Sequence, residues 1–120
     1  MTTITTAPDV SSLVAGIEGR DSAAVAAWYA DGATLTMVDR DHPPSAPQVF
    51  DGAKAIAELF TEVCSRDMTH EIRDLVVTPE ALAFTEHCTY PDGTKVLCAT
   101  VAALQDGRIT RQTALQAWDA

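Results

Sequence analysis

The chain is short of positive charge. Only eight of its 120 residues are lysine or arginine, against seventeen aspartates and glutamates, so the net charge is −9 and the pI is about 4.5. A surface of that sign repels phosphate backbones and anionic bilayers, which argues against nucleic acid or membrane partners. Long apolar runs are also missing: no stretch approaches the ~18 residues needed to span a bilayer. The opening MTTITTAPD has neither a basic residue nor an apolar run. This argues against a secretory signal and predicts a flexible leader over residues 1–8, then one domain over 9–120. Cysteine is scarce. Cys64, Cys88 and Cys98 cannot all pair with one another, and none stands in a Cys-x-x-Cys unit. The reading is three reduced thiols in a cytoplasmic protein. Their spacing does not suggest a zinc site, so no metal and no cofactor is expected.

Apolar residues make up 47% of the sequence, enough to bury one core. Val10, Leu13, Val14 and Ile17 recur at helical spacing, and Gly19 stops that helix. Asp21 and Ser22 can cap a second, short helix that carries Val25 and Trp28 inward. Asp31-Gly32 reads as a turn before a strand over 33–38. DRDHPPSAP, with three prolines, is a loop, and residues 48–50 read as a short strand. A third helix follows Gly52, its apolar face formed by Ile56, Leu59, Phe60 and Val63. None of the three helices has the basic polar face that membrane binding requires. After Arg66 the pattern becomes four strands separated by Thr78-Pro79-Glu80, Pro91-Asp92-Gly93 and Gln105-Asp106-Gly107 turns. Helices first and antiparallel strands after them predict an α+β fold, with helices over one face of a curved sheet.

The segments WYADGATLTM, FDGAKAIAELF and LQDGRITRQTALQAWD resemble the SnoaL-like branch of the nuclear transport factor 2-like superfamily, over about residues 9–119. Ketosteroid isomerases, polyketide cyclases and limonene epoxide hydrolases are relatives there. The resemblance implies a cone-shaped fold in which three helices of the N-terminal half pack on a strongly curved, mostly antiparallel sheet. It also implies a closed-ended pocket between sheet and helices, a small apolar ligand or substrate, and a homodimer through the outer sheet face. The relatives' catalytic groups do not carry over. The isomerase carboxylate late in the first strand corresponds to Met37, and its oxyanion donors correspond to Leu13 and Thr100. The supporting tyrosine of the third helix corresponds to Phe60, and the last-strand carboxylate of cyclases and hydrolases to Ala114. Only Tyr29 keeps a matching residue type.

Strand parity supplies other candidates. If the Pro91-Asp92-Gly93 turn sets Tyr90 opposite Thr94, one hairpin face carries Phe84, Glu86, Cys88, Tyr90, Val96, Cys98 and Thr100. The other carries Thr85, His87, Leu97, Ala99 and Val101. The resemblance puts Thr100 in the pocket, so Glu86 joins it, with Gln112, Ala114, Gln116 and Trp118 from the last strand. Gln112 and Gln116 can orient a carbonyl or hydroxyl group. A carboxylate on an apolar wall is costly when charged, which suits a general acid or base. Glu86 is thus one candidate catalytic residue; the other reading pairs it with Arg73 or Arg111 and leaves it structural. His70 either faces the pocket as Glu86's partner or lies on the dimer face. Asp39, Asp41 and His42 read as a solvated loop near the pocket mouth, and Cys88 and Cys98 as packing residues. Two functions stay open. One is a cofactor-independent isomerase, cyclase or dehydratase acting by proton transfer on an apolar carbonyl compound. The other is a non-catalytic ligand-binding or dimerisation module.

Overall fold

A computed structural model describes residues 6–120. The first five positions of the expected leader lie outside the described residues. Three helices and six strands follow in order: α1 Ser11–Glu18, α2 Ser22–Ala26, β1 Tyr29–Val38, β2 Gln48–Asp51, α3 Ala53–Ser65, β3 Thr69–Val77, β4 Ala81–Thr89, β5 Lys95–Gln105 and β6 Arg108–Trp118. The strands form one curled, unclosed sheet in the order β2-β1-β6-β5-β4-β3. Every pairing is antiparallel except β1 with β6. The α+β cone expected from the sequence is therefore what the chain forms. No helix among the described residues is long and apolar enough to cross a membrane.

Local chemistry explains the helix ends. The Asp21 carboxylate accepts from the Ala24 amide at 3.2 Å, capping α2. At Gly19 a Cβ would stand 2.9 Å from the Ala15 carbonyl oxygen, so only glycine lets α1 stop and the chain turn there. Gly52 enters α3 at φ +97°, a conformation that favours glycine.

One expectation is corrected. Asp31-Gly32 is not a turn ahead of the strand; β1 already runs from Tyr29. The turn-forming residues are taken up by a wide bulge: β1 advances from Tyr29 to Thr34 while β6 advances only from Ile109 to Arg111. Smaller shifts interrupt β3 between Arg73 and Val76 and the β5–β6 pairing at Ala103 and Leu104. At the β3 shift Asp74 takes φ +55° and its carboxylate accepts from the Thr85 hydroxyl at 2.7 Å. Such bulges bend and twist a sheet, and here the curl leaves a concave face for the helices to cover.

The core lies between α1–α3 and that face. Val25, Leu35, Ile56, Leu82 and Ile109 are its largest fully buried side chains. Ile56, 0% exposed, joins α3 to the sheet. Ile56→Ala should lower unfolding free energy by about 2–5 kcal/mol, measured by urea denaturation with an unchanged m-value.

Candidate functional site

The site follows from the β4–β5 hairpin. Tyr90 N donates to Thr94 O, and Gly93 N to Tyr90 O, both at 2.9 Å. Gly93 sits at φ +90°, which a turn of this kind requires. The resulting register pairs Cys88 with Val96, Glu86 with Cys98 and Phe84 with Thr100. Their side chains share the concave face. Thr85, His87, Ala99 and Val101 alternate to the other.

Between that face and α3 lies a cavity of about 90 Å³. Met37 enters it from β1 and Phe60 from α3. β3 and β4 contribute His70, Glu86 and Cys88; Cys98 and Thr100 come from β5, and Gln112, Ala114 and Gln116 from β6. Tyr90 and Trp118 stand at its outer end. A deeper chamber of about 30 Å³ adds Tyr29, Phe84 and Leu13 and shares Phe60, Glu86, Thr100 and Gln112 with the first. Outside, a vestibule of about 470 Å³ reaches the loop of Asp39, Arg40, Asp41 and His42 and shares Met37, Gln116 and Trp118 with the cavity. Of the residues grouped by parity and correspondence, Leu13, Tyr29 and Phe84 line only the deeper chamber, Phe60, Glu86, Thr100 and Gln112 line both, and the others line the cavity.

Glu86 and His70 meet on the wall. Nδ1 of His70 lies 2.8 Å from Oε2 of Glu86, and the Cys88 thiol donates to the same oxygen at 3.1 Å. The His70 side chain is 3% exposed and that of Glu86 19%. His70 therefore faces the cavity, and an imidazole takes the place of the arginine partners considered for Glu86. Arg73 instead pairs with Glu71 at 3.0 Å. His70 Nε2 is buried with no hydrogen-bond partner among the described residues.

Burial pushes the Cys98 thiol up to about 12, helped by the negative charge of Glu86. Burial also raises Cys88, with the same charge and the bond to Glu86 adding to it. Both thiols stay protonated near neutrality, so neither is an activated nucleophile. Tyr29 is raised as well, by burial first and then by the charges of Glu86 and Cys98.

Across from Glu86 runs a polar chain. The Tyr29 hydroxyl donates to Gln112 Oε1, which turns the Gln112 Nε2 group toward Thr100 Oγ1, 3.4 Å away. At the mouth, Tyr90 and Trp118 stack with centroids 5.8 Å apart, and the Arg40 guanidinium lies 4.2 Å over the Trp118 ring. Trp118 Nε1 donates to Gln116 Oε1 at 3.1 Å. In the loop after β1, Asp41 is exposed and Asp39 and His42 are half-buried, their side chains 2.9 Å apart.

Sequence reasoning missed Arg66 and Met68, both lining the cavity. Arg66 donates to the Tyr90 hydroxyl at 3.0 Å and to Glu62 at 2.7 Å. Its four-residue spacing from Glu62 was visible, but the contact with Tyr90 depends on tertiary structure. His70, Glu86 and Cys88 are also the set of nitrogen, oxygen and sulfur donors among the described residues close enough to hold a metal ion, all within 4.8 Å of one another.

A family model described as a SnoaL-like domain matches residues 10–112. A comparison with curated proteins finds no match. Solved structures do match. An NTF2-like protein of unknown function from Mesorhizobium loti is 18% identical, with a TM-score of 0.74 over 98% of this chain and 100% of that one. A candidate ketosteroid isomerase from Kribbella flavida is 16% identical, with a TM-score of 0.72 over 91% of this chain and 73% of that one. An NTF2-like protein from Burkholderia xenovorans is 14% identical, with a TM-score of 0.74 over 92% and 79%. At these identities the likeness speaks for the fold.

Tyr29→Phe removes one hydroxyl and leaves buried Gln112 Oε1 without its donor. A loss of about 1–3 kcal/mol is expected, read from thermal and urea unfolding. The pH limb should change too. Above the ordinary tyrosine value of 10.0, the unfolded chain has released the Tyr29 proton while the folded chain keeps it. The unfolded state then binds fewer protons, so stability falls as pH rises. This alkaline fall should be shallower in Tyr29→Phe.

Proposed function

The chain belongs to the SnoaL-like domain family, and we propose that its cavity binds a small carbonyl compound and moves a proton on it, as an isomerase, cyclase or dehydratase would. The observation that carries this reading is Glu86: a carboxylate in the wall of both chambers, bonded to His70. The cavity of about 90 Å³ is small beside ligand pockets of roughly 300–1,000 Å³. The carbonyl head of a substrate fits inside, and a larger apolar remainder belongs in the vestibule.

In this reading a C–H bond beside the carbonyl breaks and its proton passes to a Glu86 oxygen. The electron pair moves onto the carbonyl oxygen, which then takes hydrogen bonds from Gln112 Nε2 and the Thr100 hydroxyl. Donors held in place before the reaction stabilise such a growing charge. Glu86 returns the proton to another carbon, or to a neighbouring hydroxyl that departs as water while the enolate pair re-forms the carbonyl and leaves a carbon–carbon double bond. His70 is a positioning residue: its Nδ1–H holds the carboxylate in one orientation. Tyr29 acts through Gln112, fixing which end of the amide faces the cavity.

A second reading is a binding module. It is favoured by the non-acidic residues Met37, Thr100 and Ala114, which correspond to the relatives' catalytic carboxylates.

Deuterium uptake separates the two. Small ketones and β-ketoesters are incubated with protein in D2O and C–H loss is followed by NMR. The wild type should accelerate exchange for at least one compound, and Glu86→Gln should slow it by roughly 10²–10⁴-fold while keeping binding. Equal rates for the two proteins would leave the binding module standing.

The outer sheet face supports self-association. Leu97, Val101 and Leu115 are 44%, 63% and 51% exposed there, and Ala99 pairs with Leu115 between them. Contiguous apolar surface of this kind usually meets a partner, and a two-fold dimer would let each copy cover the other. Sedimentation at micromolar concentration should give twice the 12.8 kDa chain mass, and Val101→Glu should return the monomer. A wild-type monomer would contradict the dimer.

A further inference from the structure

His70, Glu86 and Cys88 converge from adjacent strands. His70 stands opposite Cys88 in the β3–β4 register, and Glu86 lies two residues back on the same face. The triangle of donor atoms has edges of 2.8 Å from Nδ1 to Oε2, 3.3 Å from Nδ1 to Sγ and 3.1 Å from Sγ to Oε2. Zinc bonds of about 2.0–2.1 Å to nitrogen and oxygen and about 2.3 Å to sulfur put the corners of a tetrahedral face about 3.3–3.6 Å apart. Each edge here is shorter by roughly 0.3–0.5 Å, the contraction expected when hydrogen bonds hold the three donors instead of an ion.

We propose that these three side chains form a binding site for a divalent cation of the zinc class, with its fourth position open to the cavity. The donor set is one imidazole, one thiolate and one carboxylate, which suits a borderline-soft ion; magnesium and calcium prefer oxygen alone. Charge also balances, since thiolate and carboxylate together neutralise a dication. All three residues wall the same cavity, so a water or a small ligand can complete the tetrahedron.

Binding has a definite proton balance. The Cys88 thiol releases its proton to solvent as the sulfur–metal bond forms. His70 gives up the proton on Nδ1 and takes one on Nε2. That nitrogen is buried without a partner among the described residues, and an unpaired buried donor weakens binding on the order of ten- to a hundredfold. The ion is therefore exchangeable, not a structural one. It also ties up one oxygen of the Glu86 carboxylate and lowers the basicity of the other, so a bound ion slows the proposed reaction. The site itself does not depend on that reaction.

Cobalt(II) is the probe. Untagged, chelator-treated protein is titrated with cobalt chloride and its absorption recorded. The wild type should take up one equivalent with a thiolate-to-cobalt band in the near ultraviolet and tetrahedral bands in the visible. Zinc should abolish both, and magnesium should not. Cys64→Ser and Cys98→Ser should keep the bands, Cys88→Ser should lose the thiolate band, and His70→Phe should bind at least tenfold more weakly. A wild type without the thiolate band overturns the site, whatever the variants do; so does a band that survives Cys88→Ser. The spectrum reports the ion and not the reaction, so either proposal can fail while the other stands.

Discussion

The arrangement of the concave face depends on one tight turn. Pro91, Asp92 and Gly93 set Tyr90 opposite Thr94, and from that pair outward every residue of β4 meets a fixed partner on β5. Side chains alternate with period two, so a slip of β4 by one residue would carry Phe84, Glu86 and Cys88 to the outer face together. The same slip would turn Thr85 and His87 into the core. The cost of burying histidine there and wetting Phe84 holds the register as firmly as the turn does. Bulges in β1, β3 and β6 then bend the sheet so that this face becomes a hollow.

Inside the hollow, Glu86 is the carboxylate that organises its neighbours. Its charge helps keep Cys88, Cys98 and Tyr29 protonated. The Cys88 thiol in turn donates its hydrogen to Glu86, and the Tyr29 hydroxyl gives its own to Gln112. His70 supplies the counterpart: a buried imidazole whose Nδ1 bonds Glu86 and whose other nitrogen has no partner among the described residues. The proposed proton transfer and the proposed ion binding both draw on the Glu86 carboxylate in the wall of a small cavity. Arg66, Tyr90, Arg40 and Trp118 form the contacts that close the outer end.

Much of this was legible in the sequence, for physical reasons that also mark its limit. Apolar spacing located the helices because burial of one face requires it. The hairpin turn located Glu86 because strand parity is rigid once a single pair is known. Asp31-Gly32 misled because turn-forming residues also suit a bulge, and only the parallel pairing with β6 decides between the two. The meeting of His70 with Cys88 was hidden. The two residues lie eighteen apart in sequence and touch only because β3 pairs with β4 in one register. Ligand spacing along the chain therefore gave no sign of the donor triangle. Arg66 was hidden for the same reason: its contact with Tyr90 joins the end of α3 to the end of the hairpin.

The cavity's role as a small-ligand site can be read directly through its methionines. The chain has three, and two of them, Met37 and Met68, line the cavity. Protein labelled with ¹³C at the methionine methyl groups is titrated with a panel of small carbonyl compounds and followed by NMR. Binding in the cavity predicts saturable shifts of the Met37 and Met68 signals for at least one compound. If no compound moves either signal up to its solubility limit, the cavity is a packing gap, and the ligand-site reading is contradicted.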